Sequence, residues 1–548
     1  TCHSTNDRCE ALASLKGCFL CFCFCALQYL STELKRTHPS FSHKSEKDCC
    51  TRAFSLLKIS KIGRKVVNLL DIVCACMRAR VEKIISGKIA QQTNYNINMK
   101  IILLSGGSGQ RLWPLSNGAQ AKQFLRLLKS PDGEKESMVQ RVVRQIKEAG
   151  LLESITVATS AAQADMISNQ LSEYGVDIVT EPARRDTFPA IALAAAYLQK
   201  EKHCPADETV VVMPCDPYTE SGYFQTIAKM VKAVEAKAAD LVLMGITPTN
   251  PSSKFGYIVP QAADAEKDIR KVHRFVEKPK HELAEQLLTE GALWNGGVFA
   301  FRLGYITSIL DKYVSAPSFA EVRSRYQEFP KISFDYEVAE RAESVAVIPF
   351  TGQWKDLGTW NALTEELPNQ TIGKVVLDPE AKNTHVVNEL SMPLICLGTD
   401  NLVVAASSDG ILVADKAHSE ELKTHLAKLG PDARPMYEER RWGEYKVIDH
   451  IEFPDGQKVL TKQLCIKAGK NISYQVHHQR EEVWTIINGT GRVVLSGEER
   501  IVKAGDVVHV RREQFHAIRA ITDLYIIEVQ SGERLTEDDI TRYPYNWE

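Results

Sequence analysis

Charge of one sign is scarce in this sequence. Its 67 Lys and Arg face 69 Asp and Glu, leaving a net charge of −2 over 548 residues, so the charge balance gives no reason to invoke a nucleic acid or an anionic membrane as partner. Long apolar runs are lacking too. The first, from Gly17 to Leu27, is too short for a bilayer, which takes about 20 apolar residues. Cysteine is scarce beyond residue 98, where only Cys204, Cys215, Cys396 and Cys465 remain of 14. That usage suits a reducing, cytoplasmic setting and excludes a disulfide framework there.

The other ten cysteines crowd into residues 1–98, as though that segment belonged to a different protein. The apolar run has the length of a signal-peptide core, yet no small-residue cleavage site follows it. Cys18, Cys21, Cys23 and Cys25 are spaced like half a metal or disulfide cluster, without a downstream half. The expectation is a non-native or upstream-translated leader over 1–98, disordered, with Met99 as the true start.

What is present is globular in character, with 44% hydrophobic and 25% charged residues, in a chain long enough for two to four domains. Met99–Leu104 predicts a buried strand ending in the glycine-rich turn Ser105-Gly-Gly-Ser-Gly109. Further strands are predicted at Ile155–Thr159, Thr209–Met213 and Leu241–Met244, with helices at Ser137–Glu148 and Pro189–Lys200 between them. Asp186 and Thr187 are cap candidates for the second helix, with Pro189 in its first turn. Strand alternating with helix predicts an α/β, Rossmann-like domain with a mainly parallel sheet.

The glycine turn is neither a P-loop nor a dinucleotide fingerprint, since it lacks the Gly-Lys-Ser/Thr and the third glycine those require. Its freed backbone N–H groups suit phosphate oxygens, and Arg111 and Lys122 supply positive charge nearby. Seven ordered blocks carry a closer likeness. They are Ser105–Ser116 with Lys122-Gln-Phe-Leu125, Glu181–Ala192, Met213-Pro-Cys-Asp216, Phe275-Val-Glu-Lys-Pro279, Trp294–Phe299, Ser333-Phe-Asp-Tyr336 and Trp354–Trp360. Together they resemble the signature of mannose-1-phosphate guanylyltransferases of bacterial type.

The resemblance implies transfer of GMP from GTP to mannose 1-phosphate, with pyrophosphate leaving. Such chemistry asks a protein chiefly for positioning and charge neutralisation. It implies a nucleotide-binding turn at Ser105, Gly106, Gly107, Ser108 and Gly109, with Arg185 beside the nucleotide. Arg111 and Lys122 would steady the triphosphate and the leaving pyrophosphate, and Lys278 would meet the sugar phosphate. Asp216 and Asp356 would hold Mg²⁺, while Glu277 and Asn295 would bind sugar hydroxyls. Plainer readings stand beside these: Asp216 as a turn residue, Lys278-Pro279 as a surface turn, Asn295 as a backbone partner in a Gly-Gly bend. Gln110, Asn117, Ala121 and Pro217 depart from the family's usual Thr, Arg, Pro and His, which bears on nucleotide preference more than on the reaction.

After the nucleotidyltransferase region, 99–366, short strands are predicted at Val375–Leu377, Thr384–Val387, Leu402–Val404 and Ile411–Val413. The resemblance makes 367–435 a β-helix-like connector. A charged helix over Ser419–Leu429 is predicted to stop at Gly430-Pro431. Residues 436–548 read as strand after strand, and Gly469, Gln475, His477, Glu482, Gly489, Gly505, Asp506 and His516 match the motifs of a cupin β-barrel. Residues two apart on a strand share a face, so Gln475 and His477 can join Glu482 and His516 in a ligand set for Zn²⁺ or another divalent transition metal.

The guanylyltransferases that this chain resembles often carry a cupin with phosphomannose isomerase activity, although His477-His-Gln-Arg-Glu-Glu-Val-Trp484 lacks two histidines of their motif. A barrel serving only dimerisation or ligand sensing is the open alternative, as are another sugar 1-phosphate or nucleotide and a non-catalytic sugar-nucleotide sensor. A homo-oligomer is left open.

Overall fold

The computed structural model describes residues 99–547 apart from 108–109, 119, 152–153, 265 and 430–434. The leader, its cysteine cluster, Ser108, Gly109 and the Gly430-Pro431 stop lie outside the described residues.

Nine strands build one sheet: β1 (Lys100–Ser105), β2 (Ile155–Ser160), β3 (Asp177–Glu181), β4 (Thr209–Pro214), β5 (Leu241–Ile246), β6 (Tyr257–Pro260), β7 (Arg270–Val276), β8 (Leu293–Arg302) and β9 (Val345–Phe350). Their order is β3-β2-β1-β4-β8-β5-β9-β7-β6. The expected strands and helices are present, and β1 to β4 form the expected parallel half. Beyond β4 the sheet is mixed, because β8 enters antiparallel between β4 and β5. It also pairs with β6, closing a ring of strands β8-β5-β9-β7-β6. That strand was hard to see in sequence because Gly296-Gly297 interrupts it. The register slips between Asn295 and Phe299, and Gly297 takes a φ of +68°, a bulge that only glycine enters without strain.

Apolar clusters lie on both faces. One joins the helices Met138–Glu148, Ala161–Gln170 and Ser221–Glu235 to the sheet, and the other joins Thr187–Lys200 and Leu303–Leu310. Ser137 starts the first helix with a reciprocal Ser–Gln140 capping box. Asp186 caps Thr187–Lys200, as predicted.

In the connector, strands at Thr371–Ile372, His385–Asn388 and Leu402–Ser407 stack in parallel beside a second pair, Val375–Leu377 and Leu394–Cys396. This is the stacking of parallel rungs expected of a β-helix. The predicted helix over Ser419–Leu429 is corrected: only Leu422–Leu426 is α-helical, between 3₁₀ turns at Lys416–Glu421 and Ala427–Leu429. The tighter winding eclipses residues three apart, and Lys416 and Ser419 are both buried. From Tyr437 two antiparallel sheets of six and five strands face each other around their own apolar core. No helix among the described residues is long and apolar enough to cross a membrane.

Candidate active site and barrel cluster

Ser105 ends β1 fully buried, its carbonyl accepting from Thr159 Oγ1 at 3.0 Å and its hydroxyl from Gln123 Nε2 at 3.2 Å. Gly106 and Gly107 follow, Gly107 at φ +103°. The Gly107 carbonyl accepts from Gln163 Nε2 at 2.9 Å. Gln123 and Gln163, both buried, thus hold the root of the glycine-rich turn. Sequence reasoning missed them; Gln123 lies inside a quoted block, whereas nothing local marks Gln163. Arg111 sits exposed in the 3₁₀ turn Gln110–Leu112.

Asp216 comes just past β4, and the next residues, Pro217–Thr219, pair antiparallel with Trp354–Asp356. This register sets Asp356 opposite Pro217, which brings two carboxylates far apart in sequence to one place. Lys122 lies between them, its Nζ 2.7 Å from Asp216 Oδ2 and 2.7 Å from Asp356 Oδ1. Burial works to lower the Lys122 ammonium's pKa, but the two carboxylates outweigh it and hold it above the usual lysine value. Burial likewise works to raise Asp356, and Lys122 outweighs it, so its carboxyl stays below the ordinary range.

The bulge of β8 lies next to this centre: a Cβ on Gly297 would stand 3.9 Å from Pro214 Cδ, two residues before Asp216. Asn295, in the bulge, donates from Nδ2 to Asp335 Oδ1 at 2.6 Å and accepts from Gly297 N at 3.0 Å. Lys278, at φ +45°, pairs with Glu277 Oε1 at 2.6 Å. Glu277 Oε2 is buried without a partner, an oxygen placed to accept from a hydroxyl. Asp335, in a quoted block but assigned no role from sequence, completes this cluster at the start of a π-helical turn. The Arg185 guanidinium donates to the Phe329 carbonyl at 2.9 Å and to Gln327 Oε1 at 2.7 Å.

Burial, then the nearby Glu277 carboxylate, push the Asp335 carboxyl up to about 6. An acid raised in the folded state costs stability once the unfolded chain can ionise and the folded one resists. Asp335→Asn keeps the acceptor for Asn295 and never ionises. The two chains should melt alike below about pH 3.8, the ordinary value for this carboxyl. The variant should then gain through pH 6 and lead by roughly 2–4 °C above it. A lead that shrinks with pH in a melting series would contradict the assignment.

In the barrel, His477, Glu482 and His516 converge, all buried. His477 Nε2 lies 3.1 Å from Glu482 Oε1 and His516 Nε2 lies 4.0 Å from Glu482 Oε2. Each histidine turns Nδ1 to a backbone carbonyl, Asp539 O at 3.1 Å and Gln514 O at 2.8 Å. A carbonyl only accepts, so each Nδ1 donates and each Nε2 faces inward, the atom that would reach a metal ion. Burial pushes His516 down to about 4, which keeps it neutral. Gln475 adjoins the cluster, but its NH₂ faces the two Nε2 atoms at 3.4 and 3.5 Å while its oxygen accepts from Ser473 Oγ. With its oxygen turned to Ser473, Gln475 would have to turn over to serve as a ligand. Arg480, not singled out from sequence, donates to Glu482 Oε1 at 2.9 Å.

A family model described as Nucleotidyl transferase matches residues 100–371, and one described as Mannose-6-phosphate isomerase C-terminal matches 434–544. The mannose-1-phosphate guanylyltransferase ManC of Salmonella typhimurium is 31% identical over 478 residues, 81% of this chain and 96% of that protein. The mannose-1-phosphate guanylyltransferase of Escherichia coli is likewise 31% identical, over 81% and 97% of the two chains. The xanthan biosynthesis protein XanB of Xanthomonas campestris is 31% identical over 81% of this chain and 97% of that one.

Proposed function

This chain belongs to the mannose-1-phosphate guanylyltransferase family, and we propose that Lys122, Asp216 and Asp356 form its reacting centre. The enzyme is a nucleotidyltransferase that transfers GMP from GTP to mannose 1-phosphate, giving GDP-mannose and pyrophosphate. A phosphate oxygen of the sugar attacks the α-phosphorus, and the bond from that phosphorus to the oxygen bridging it to the β-phosphorus breaks. The observation that carries the site assignment is the Lys122 ammonium held between two carboxylates at the end of β4, where open α/β sheets bind ligands.

Asp216 and Asp356 offer hard oxygen donors that already converge on a cation, which fits the ligand chemistry of Mg²⁺. Bound there, the ion would neutralise phosphate charge. Lys122 and Arg111 bring positive charge to the triphosphate, Gln163 and Gln123 fix the turn that receives it, and Lys278 meets the sugar phosphate. Glu277, Asn295 and Asp335 accept from or donate to the sugar hydroxyls. We place this work in 99–366, with a connector over 367–435 and the barrel in 436–548. Pyrophosphate release across four nucleoside triphosphates and several sugar 1-phosphates tests the reading. GTP with mannose 1-phosphate should stand out, and silence from folded protein in every pairing would favour a non-catalytic sensor.

The inward-facing histidine Nε2 atoms beside Glu482 support a second reading for the barrel. His477, Glu482 and His516, with Gln475 turned over, suit Zn²⁺ or another divalent transition metal. Such an ion would polarise the oxygens of a sugar phosphate, as phosphomannose isomerisation requires. The chain loaded with zinc should then interconvert mannose 6-phosphate and fructose 6-phosphate. Metal bound without conversion would leave the barrel an assembly or ligand-sensing module.

A further inference from the structure

Asn117 lies five residues before Lys122. Its Nδ2 donates to Asp409 Oδ2 at 2.6 Å, and its Oδ1 accepts from Gln120 N at 2.7 Å. The other Asp409 oxygen, Oδ1, accepts from the backbone N–H of Met436 at 2.6 Å. One carboxylate therefore ties the loop leading into Lys122 to the chain segment that enters the barrel.

The turn around Asp409 grips the same loop at two more points. Ser407 Oγ donates to the Pro114 carbonyl at 2.6 Å and accepts from Asp409 N at 3.1 Å. Gly410, at φ +150°, lies so flat on Trp113 that a Cβ there would come within 2.4 Å of the indole. Barrel entry also reaches the other end of the phosphate turn. Arg441 pairs with Asp165 at 2.8 Å and Asn169 Nδ2 donates to the Arg440 carbonyl at 2.9 Å. Asp165 and Asn169 both sit on the helix Ala161–Gln170, whose Gln163 holds the Gly107 carbonyl.

We infer that Asp409 is a positioning residue for guanylyl transfer, a two-sided latch through which the connector and the barrel entry set the loop from Trp113 to Lys122. It touches neither substrate; it fixes, through Asn117, the backbone that carries Lys122 to Asp216 and Asp356. The inference rests on the reading that this loop receives GTP. It explains how the loop is kept in place with asparagine at 117: the short amide bridges Gln120 and Asp409 at once, and a carboxylate can accept from two donors.

The test uses the full chain with Asp409→Ala, Asn117→Ala and both together, followed by steady-state kinetics and by hydrogen exchange of the amides from Trp113 to Gln120. Each single variant should raise KM for GTP about tenfold, with kcat and KM for mannose 1-phosphate within about twofold. Exchange across 113–120 should quicken about tenfold while the amides of β1 and β4 keep their protection. The double variant should be no worse than either single, because both break the same link. Unchanged exchange and unchanged KM in either single variant, or additive losses in the double, would overturn the latch. Asn117→Ala leaves the connector intact, so it still decides the matter if Asp409→Ala fails to fold. An inactive unaltered chain would count against the functional reading alone, since exchange reports on the latch without catalysis.

Discussion

A chain carrying Asp216→Asn is expected to release pyrophosphate about a thousandfold more slowly than the unaltered chain, and to stay folded. The two halves of that expectation come from different parts of the geometry. Asp216 and Asp356 side chains are 26% and 40% exposed, so each ion pair with Lys122 contributes only about 0–1 kcal/mol to stability. Losing one carboxylate leaves Lys122 paired with the other, and the short strand pairing of Pro217–Thr219 with Trp354–Asp356 persists through its backbone. Catalysis has no such reserve, because the asparagine keeps the shape but removes a formal charge from the cation-binding pair. Asp356→Asn should fall by a similar factor. Steady-state rates with GTP, mannose 1-phosphate and Mg²⁺, beside a thermal melt, check both halves. A variant that keeps a tenth of the activity would remove Asp216 from the reacting centre.

Glu482→Ala is expected to destabilise the barrel by about 3–5 kcal/mol, the cost of breaking a buried ion pair from one side. Glu482 is 1% exposed and carries four partners: Arg480 Nε at 2.9 Å, His477 Nε2 at 3.1 Å, Trp484 Nε1 at 3.0 Å and Gln530 Nε2 at 3.2 Å. Burial works to raise its carboxyl, yet His477 and Arg480 outweigh that and hold it below its ordinary value. Alanine removes the acceptor of a buried guanidinium Nε–H and of an indole N–H in an interior that cannot solvate them. Because the barrel has its own apolar core, chemical unfolding should show an early transition followed by tryptophan fluorescence. Glu482→Gln, which restores acceptors for some of these donors, should recover part of the loss. Unfolding of Glu482→Ala at the unaltered midpoint would show that the network contributes nothing.

Much of this was legible in sequence where chemistry and local pattern coincide. Apolar runs ending in glycine or aspartate marked β1 and β4, and Asp186 and Ser137 marked helix starts. The pairing of Asp216 with Asp356 was implied by the family resemblance, and the antiparallel pairing of Pro217–Thr219 with Trp354–Asp356 supplies its physical cause. The mixed half of the sheet was not legible, because strand order depends on long-range pairing and the Gly296-Gly297 bulge disguises β8. Gln163 and Asp409 were invisible for a related reason. Each acts through hydrogen bonds to residues distant in sequence, and no periodicity or spacing announces such bonds. The short 3₁₀ segments after Lys416 were overcalled as a helix, since charge and helix propensity there do not reveal which side chains the connector buries.

The measurement that tests the central claim most directly supplies mannose 1-phosphate labelled with oxygen-18 on its phosphate, together with unlabelled GTP and Mg²⁺. Attack on the α-phosphorus predicts GDP-mannose and pyrophosphate in equal amounts, with all the label in GDP-mannose and none in pyrophosphate. Label in pyrophosphate, or GDP-mannose formed without it, would contradict transfer of GMP at the Lys122, Asp216 and Asp356 centre.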